Sequence, residues 1–132
     1  MKLLVLLLAV ACLFCCCASK TGEPVLGTTL TEPDDFYVAK ASEIGDDSGY
    51  QFKYMDQDAV VIRYEGGFLG YSRKCTHAGC PVEYKEGKLR CPCHGSVFDP
   101  GTGAPISGPA KESLTKLELE VRGEDIYIPG AQ

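Results

Sequence analysis

"AVVIRYEGGFLGYSR", residues 59–73, decides the fold class. Two runs rich in β-branched and aromatic residues, "AVVIRYE" and "GFLGYSR", are split by Glu65-Gly66-Gly67. A glycine turn between such runs is hairpin chemistry. The pattern recurs in both directions along the chain. "FYVAKASEI" (36–44) alternates in part and is expected to form a first strand, and "YQFKYM" (50–55) alternates aromatic with polar residues. "YKEGKLRC" (84–91) has its own turn at Glu86-Gly87. In "LTKLELEV" (114–121) the apolar residues Leu117, Leu119 and Val121 recur at every second position, a strand period rather than a helical one. "RGED" then turns the chain into "DIYIPG", a closing hairpin. "PGTGAPISGP" (100–109) is too rich in glycine and proline for a regular element. With no internal repeat and no long helix, the expectation is an all-β, antiparallel sandwich or barrel over residues 36–132.

The chain has 132 residues, room for one domain once its start is set aside. "MKLLVLLLAVACLFCCCASK" opens on one basic residue and runs apolar from Leu3 to Ala18, which reads as an export signal or an anchor over residues 1–18. Sixteen helical residues reach about 24 Å, short of the roughly 30 Å hydrocarbon core. "AVAC", ending at Cys12, resembles a bacterial lipoprotein box, and Cys15, Cys16 and Cys17 follow closely. A lipid anchor is the favoured reading. A cleaved signal and a spanning anchor are the others, and each places the remainder in the periplasm or on the outer face of the membrane, where disulfides persist. Residues 19–35, with two prolines, two glycines and four threonines, read as a flexible linker. Its r.m.s. reach is about 23 Å.

Lysines and arginines number 13 against 18 acidic residues, a net charge of −5, which argues against nucleic acid as a partner. Locally the balance reverses, since Arg73, Lys74, Lys85, Lys88 and Arg90 outnumber Glu83 and Glu86. Such a basic face is either a docking cue or a set of solvated loop charges.

Both histidines and four of the eight cysteines fall in two short boxes, "CTHAGC" (75–80) and "CPCHGS" (91–96). Cys75, His77, Cys80, Cys91, Cys93 and His94 are therefore the candidate metal ligands, with Gly79 and Gly95 placed where the loops must bend. A Cys2His2 zinc site fits the ligand types but leaves two cysteines over, and Cys75-Thr76-His77 is closer than structural zinc pairs usually are. A cysteine–histidine nucleophile needs one of each and leaves the duplication unexplained.

"CTHAGC…CPCHGSVFD" resembles the Rieske iron–sulfur family, whose pattern is Cys-x-His-x-Gly-Cys followed by Cys-x-Cys-His-Gly-Ser. The resemblance implies one [2Fe–2S] cluster per chain. Cys75 and Cys91 would hold one iron, His77 and His94 the other, and Cys80 and Cys93 would form a disulfide between the loops. Ser96 would donate its hydroxyl to a cluster sulfide. "SGPA" (107–110) looks like the family's third, proline-containing loop, which closes over the cluster. Phe98 stands where high-potential members carry a tyrosine that donates to a ligand cysteine, which implies a lower potential. Mixed cysteine and histidine ligation leaves the oxidised cluster formally neutral, and such clusters lie at about −150 to +300 mV against about −400 mV for plant-type all-cysteine ones.

The disulfide is shared with Rieske proteins that oxidise quinols. The resemblance therefore implies an exported, membrane-tethered electron carrier, the iron–sulfur subunit of a cytochrome bc-type complex, in which His94 hydrogen-bonds the quinol. The alternative it leaves open is a subunit of another exported oxidoreductase, similar to arsenite oxidase, or a stand-alone periplasmic carrier. No group suggests catalysis without the metal, so the domain reads as an electron carrier rather than an enzyme by itself.

Overall fold

The computed structural model describes residues 35–130, so the expected signal or anchor, Cys12 to Cys17 and all but the last residue of the linker lie outside the described residues. No helix among the described residues is long and apolar enough to cross a membrane. Eleven strands carry the fold: β1 (Phe36–Lys40), β2 (Tyr50–Tyr54), β3 (Gln57–Tyr64), β4 (Gly67–Ser72), β5 (Glu83–Lys85), β6 (Lys88–Arg90), β7 (Val97–Phe98), β8 (Pro105–Ser107), β9 (Lys116–Leu117), β10 (Glu120–Arg122) and β11 (Asp125–Ile128). They form three antiparallel sheets in the orders β1-β11-β10, β2-β3-β4-β9 and β5-β6-β7-β8.

The opening stretch explains the layering. Ala59 to Ile62 of β3 are all buried, as a strand covered on both faces requires. Successive side chains point to opposite faces. Val60 and Ile62 enter one core with Tyr84, Leu89 and Phe98 of the third sheet. Val61 enters a second core with Val38, Ile126 and Ile128 of the first sheet. β4 follows the same rule, with Leu69 and Tyr71 facing the first core and Phe68 the second. The middle sheet is thus sandwiched between two small cores, and the one shared with the third sheet also contains Cys75 and Cys91.

Several sequence expectations need correction. β1 ends at Lys40, and Ala41–Glu43 form a single turn of 3-10 helix instead of continuing to Ile44. β3 starts at Gln57, because Met55 and Asp56 make the preceding turn at φ 48° and 61° without any glycine to announce it. The alternating run 114–121 is not one strand. β9 pairs with β4 in the middle sheet, while β10 pairs with β11 in the first. Leu117 and Leu119 stay on one core across the switch, both within 3.2 Å of where a side chain on Gly70 would sit. Finally, Pro105–Ser107 do form a short strand, β8, against β7.

The ends of the described chain are tied together. Gly130 N–H donates to Asp35 Oδ1 at 3.0 Å. Asp35 Oδ2 lies 2.7 Å from Arg122 Nη1 in an ion pair. Arg122 also grips Glu120 through Nε and Nη2, each at 2.8 Å. The Gly130 amide first, and Arg122 second, hold the Asp35 carboxyl below the usual range. A lowered folded pKa means that the clamp's contribution is complete above the unfolded value of about 3.9 and fades as pH falls through the folded one. The Gly130 amide resonance is expected to titrate in NMR with a midpoint below about 3.9. That titration should vanish in Asp35→Asn, and its persistence there would assign it to another group.

Candidate metal centre

Both boxes are turns between strands, and they are built alike. Box one connects β4 to β5, and box two connects β6 to β7. In box one the Cys75 N–H donates to Cys80 O at 2.9 Å and the Gly79 N–H to Cys75 O at 2.8 Å. In box two the Cys91 N–H donates to Ser96 O at 2.8 Å and the Gly95 N–H to Cys91 O at 3.1 Å. Each loop thus folds back on its first cysteine by the same pair of backbone bonds. The glycine sits at φ +78° or +74°, in the left-handed region that side chains disfavour. This shared geometry is the physical reason that both boxes place a glycine four residues after a cysteine.

The folding-back puts the first cysteine of each box inside and its histidine outside. Cys75 and Cys91 are each 2% exposed, and both are free thiols. Burial first, and the hydrogen bond with Cys75 second, push the Cys91 thiol up. His77 and His94 are exposed, and their rings meet edge to face with centroids 4.8 Å apart. The disulfide between Cys80 and Cys93 joins the loops, with Cα atoms 6.4 Å apart. The sulfurs of Cys80, Cys91 and Cys93 lie within 4.8 Å of one another, but two of them are oxidised to the disulfide and have no thiolate to offer a metal.

A third segment closes the site. Ser96 is fully buried, and its Oγ accepts the Ala110 N–H at 3.1 Å, leaving its own proton free to donate. Gly108 lies so close that a Cβ there would stand 2.5 Å from Ser96 Cα and 2.9 Å from Gly95 O. Phe98 is fully buried in the core that holds Cys75 and Cys91.

The donor set fits a two-iron group better than a single zinc. Two sulfurs are supplied from the core and two imidazoles from the surface. The two buried thiols stay on the core side, while the two imidazoles meet at the surface with centroids 4.8 Å apart. Structural zinc pairs usually have two to four residues between ligands, whereas Cys75 and His77 have one. Two soft sulfurs from the core and two imidazoles from the surface match Cys2His2 ligation of a [2Fe–2S] centre.

The model of the Rieske [2Fe–2S] domain family matches residues 34–118. The chain belongs to that family. A Rieske domain binds a [2Fe–2S] cluster, and the match spans both boxes and the loop from Ser107 to Ala110. The chain is 33% identical over 100 residues to the cytochrome b6-f complex iron-sulfur subunit of Chlorobaculum thiosulfatiphilum, covering 74% of this chain and 55% of that protein. It is 45% identical over 74 residues to a putative respiratory nitrate reductase subunit Rieske of Haloferax mediterranei, covering 54% of this chain and 34% of that protein. It spans about half or less of the length of these curated relatives. The plasma membrane Rieske protein of Synechocystis PCC 6803 superposes with a TM-score of 0.63 at 28% identity, over 71% of this chain and 98% of that one.

Some parts of this Rieske domain carry no motif. Thr76 Oγ1 donates to Glu112 O at 2.7 Å and fastens box one to the segment before β9. Arg73 spends its Nε on Val82 O at 2.7 Å, across the neck of the same box. The Tyr71 hydroxyl donates to Pro100 O at 2.9 Å, in the turn after β7. A threonine, an arginine and a tyrosine are too common to signal such contacts, whose partners are 9 to 36 residues distant. The basic surface is thinner than its composition implies. Arg73 is committed to the neck, and Arg90 lies 3.9 Å from Glu86. Lys74 and Lys85 are left as its exposed lysines.

Proposed function

We propose that this chain is an exported, membrane-tethered electron-transfer protein that accepts electrons from a quinol as the iron–sulfur subunit of a cytochrome bc-type complex. The observation that carries the reading is the pair of exposed, adjacent imidazoles above two buried thiols, locked by the Cys80–Cys93 bridge. Cys75 and Cys91 would hold one iron from within the core, and His77 and His94 the other from the surface. When bound, the cluster supplies a one-electron carrier that is formally neutral when oxidised. His94 is exposed, so the ring nitrogen not used on iron could accept a hydrogen bond or a proton from a quinol hydroxyl. A groove of about 490 Å³ beside box one is lined by Lys74, His77 and Glu112. His94 lines neither this groove nor the two smaller ones near the boxes. In a complex, a quinol at His94 would find its walls in a partner protein. The likeness to a cytochrome b6-f iron-sulfur subunit supports the same reading.

The test is reduction of the chain in its native membranes. Added quinol should generate the reduced-cluster EPR signal, and the chain should co-purify with a cytochrome b. The second reading, a Rieske subunit of another exported oxidoreductase, is favoured by the likeness to a nitrate reductase subunit. Co-purification with a molybdenum-containing partner, without quinol reduction, would establish it.

Phe98 bears on the potential in either case. Phe98→Tyr adds a hydroxyl within the core that holds both free thiols. A new hydrogen bond to a thiolate ligand favours the reduced state by about 0.5–1.5 kcal/mol, which for one electron is an upward shift of about 20–65 mV. Protein-film voltammetry reads it directly. An unchanged potential would mean that Phe98 only packs.

A further inference from the structure

We propose that Cys91 is an internal nucleophile toward the Cys80–Cys93 disulfide whenever the cluster is absent, and that the exchange moves the inter-box bridge to Cys80–Cys91. The sulfurs of all three residues lie within 4.8 Å of one another, and Cys91 is a free thiol. Thiol–disulfide exchange starts from such an encounter once the Cys91 side chain swings its thiolate into line with the bond it attacks. The step balances without an oxidant. Cys91 Sγ bonds to Cys80 Sγ, the Cys80–Cys93 bond breaks, the electron pair leaves on Cys93 Sγ, and the proton lost by Cys91 ends there. One disulfide and one thiol enter, and one of each remains.

Position selects the product. Attack on Cys80 expels Cys93, which is exposed, so the departing thiolate is hydrated. It also keeps a bridge between the boxes. Attack on Cys93 would expel the half-buried Cys80 sulfur and join two residues separated by Pro92 alone, leaving the boxes unlinked. Burial of Cys91, 2% exposed, restricts the movement the attack needs, so the step runs on the scale of minutes to hours of uncatalysed rearrangement.

The consequence for loading rests on the reading of Cys91 as an iron ligand. A cluster on Cys91 occupies the attacking sulfur and protects the disulfide. Once the cluster is lost, exchange buries the same sulfur in a bridge, and the empty site cannot be refilled until the exchange reverses. A cluster that arrives before the exchange has run finds Cys91 free, and one that arrives later must wait for the reversal.

The experiment starts from the holoprotein. Iron is removed anaerobically with a chelator, the folded apoprotein is held for minutes to hours, and samples are quenched in acid, alkylated and cut with trypsin. Cleavage after Lys74, Lys85, Arg90 and Lys111 yields peptides 75–85 and 91–111, separate from Cys12 to Cys17. Tandem mass spectrometry then places the alkyl group on Cys91 or Cys93. The label is expected on Cys91 at the start and to move to Cys93 with time, the Cys93-labelled share rising at least about tenfold. In Cys91→Ser the Cys80–Cys93 linkage should persist throughout. A label that stays on Cys91 in folded apoprotein overturns the proposal, as does movement seen only after unfolding in urea, or a bridge to one of the N-terminal cysteines. Alkylation of the intact holoprotein separates the two readings. If Cys91 reacts there while iron is bound, the ligand assignment fails, whatever the apoprotein does.

Discussion

Gly108→Ala is expected to lower the melting temperature of the holoprotein by about 10–30 °C and to speed iron loss to a chelator. Two effects add. Gly108 holds φ +89°, where a side chain costs about 1–2 kcal/mol. A Cβ would also stand 2.5 Å from Ser96 Cα and 2.8 Å from Ser96 N, backbone atoms pinned within box two. No rotamer relieves that collision, so the loop 107–110 must lift. Lifting it breaks the Ala110–Ser96 hydrogen bond of 3.1 Å and opens the site to water. The combined loss is about 2–4 kcal/mol, and each kcal/mol is worth about 4–8 °C in a domain of this size. Gly66→Ala is the control. Gly66 sits at φ +80°, but a Cβ there meets nothing within 4 Å. It should show only the strain, about 1–2 kcal/mol, with iron release unchanged. Equal effects from the two variants would mean that strain alone, not loop closure, governs the site.

The double variant Cys80→Ala/Cys93→Ala is expected to lose about 3 kcal/mol, or about 12–24 °C in melting temperature. The bridge spans 13 residues of sequence and includes the whole hairpin of β5 and β6. Without it, each box still has its own backbone bonds. Box one keeps Thr76 on Glu112, and box two keeps Ser96 under Ala110. The local fold of each loop should therefore survive while their separation becomes free to fluctuate. On the proposed assignment the cluster would draw its ligands from both loops, so iron release should accelerate more than the stability change alone predicts. Release rates unchanged from the parent would show that Thr76 and Ser96 suffice to hold the boxes together.

The sequence by itself determined the family, with the kind of cofactor it binds, and the class of the fold. Metal ligands and tight-turn glycines must be particular residue types at particular spacings, because coordination and positive φ tolerate few substitutes. The boxes therefore stood out before any geometry was known. The strand character of residues 59–73 was equally open, since alternation and glycine turns are local properties. Tertiary structure alone decided where local signals were silent or pulled against packing. The run 114–121 divides between two sheets because Leu117 and Leu119 must stay on one core while the chain changes partners. Met55-Asp56 turns without glycine because the β2–β3 pairing imposes it. Thr76, Arg73 and Tyr71 gain their roles from partners distant in sequence, and those contacts exist only once the three sheets have packed.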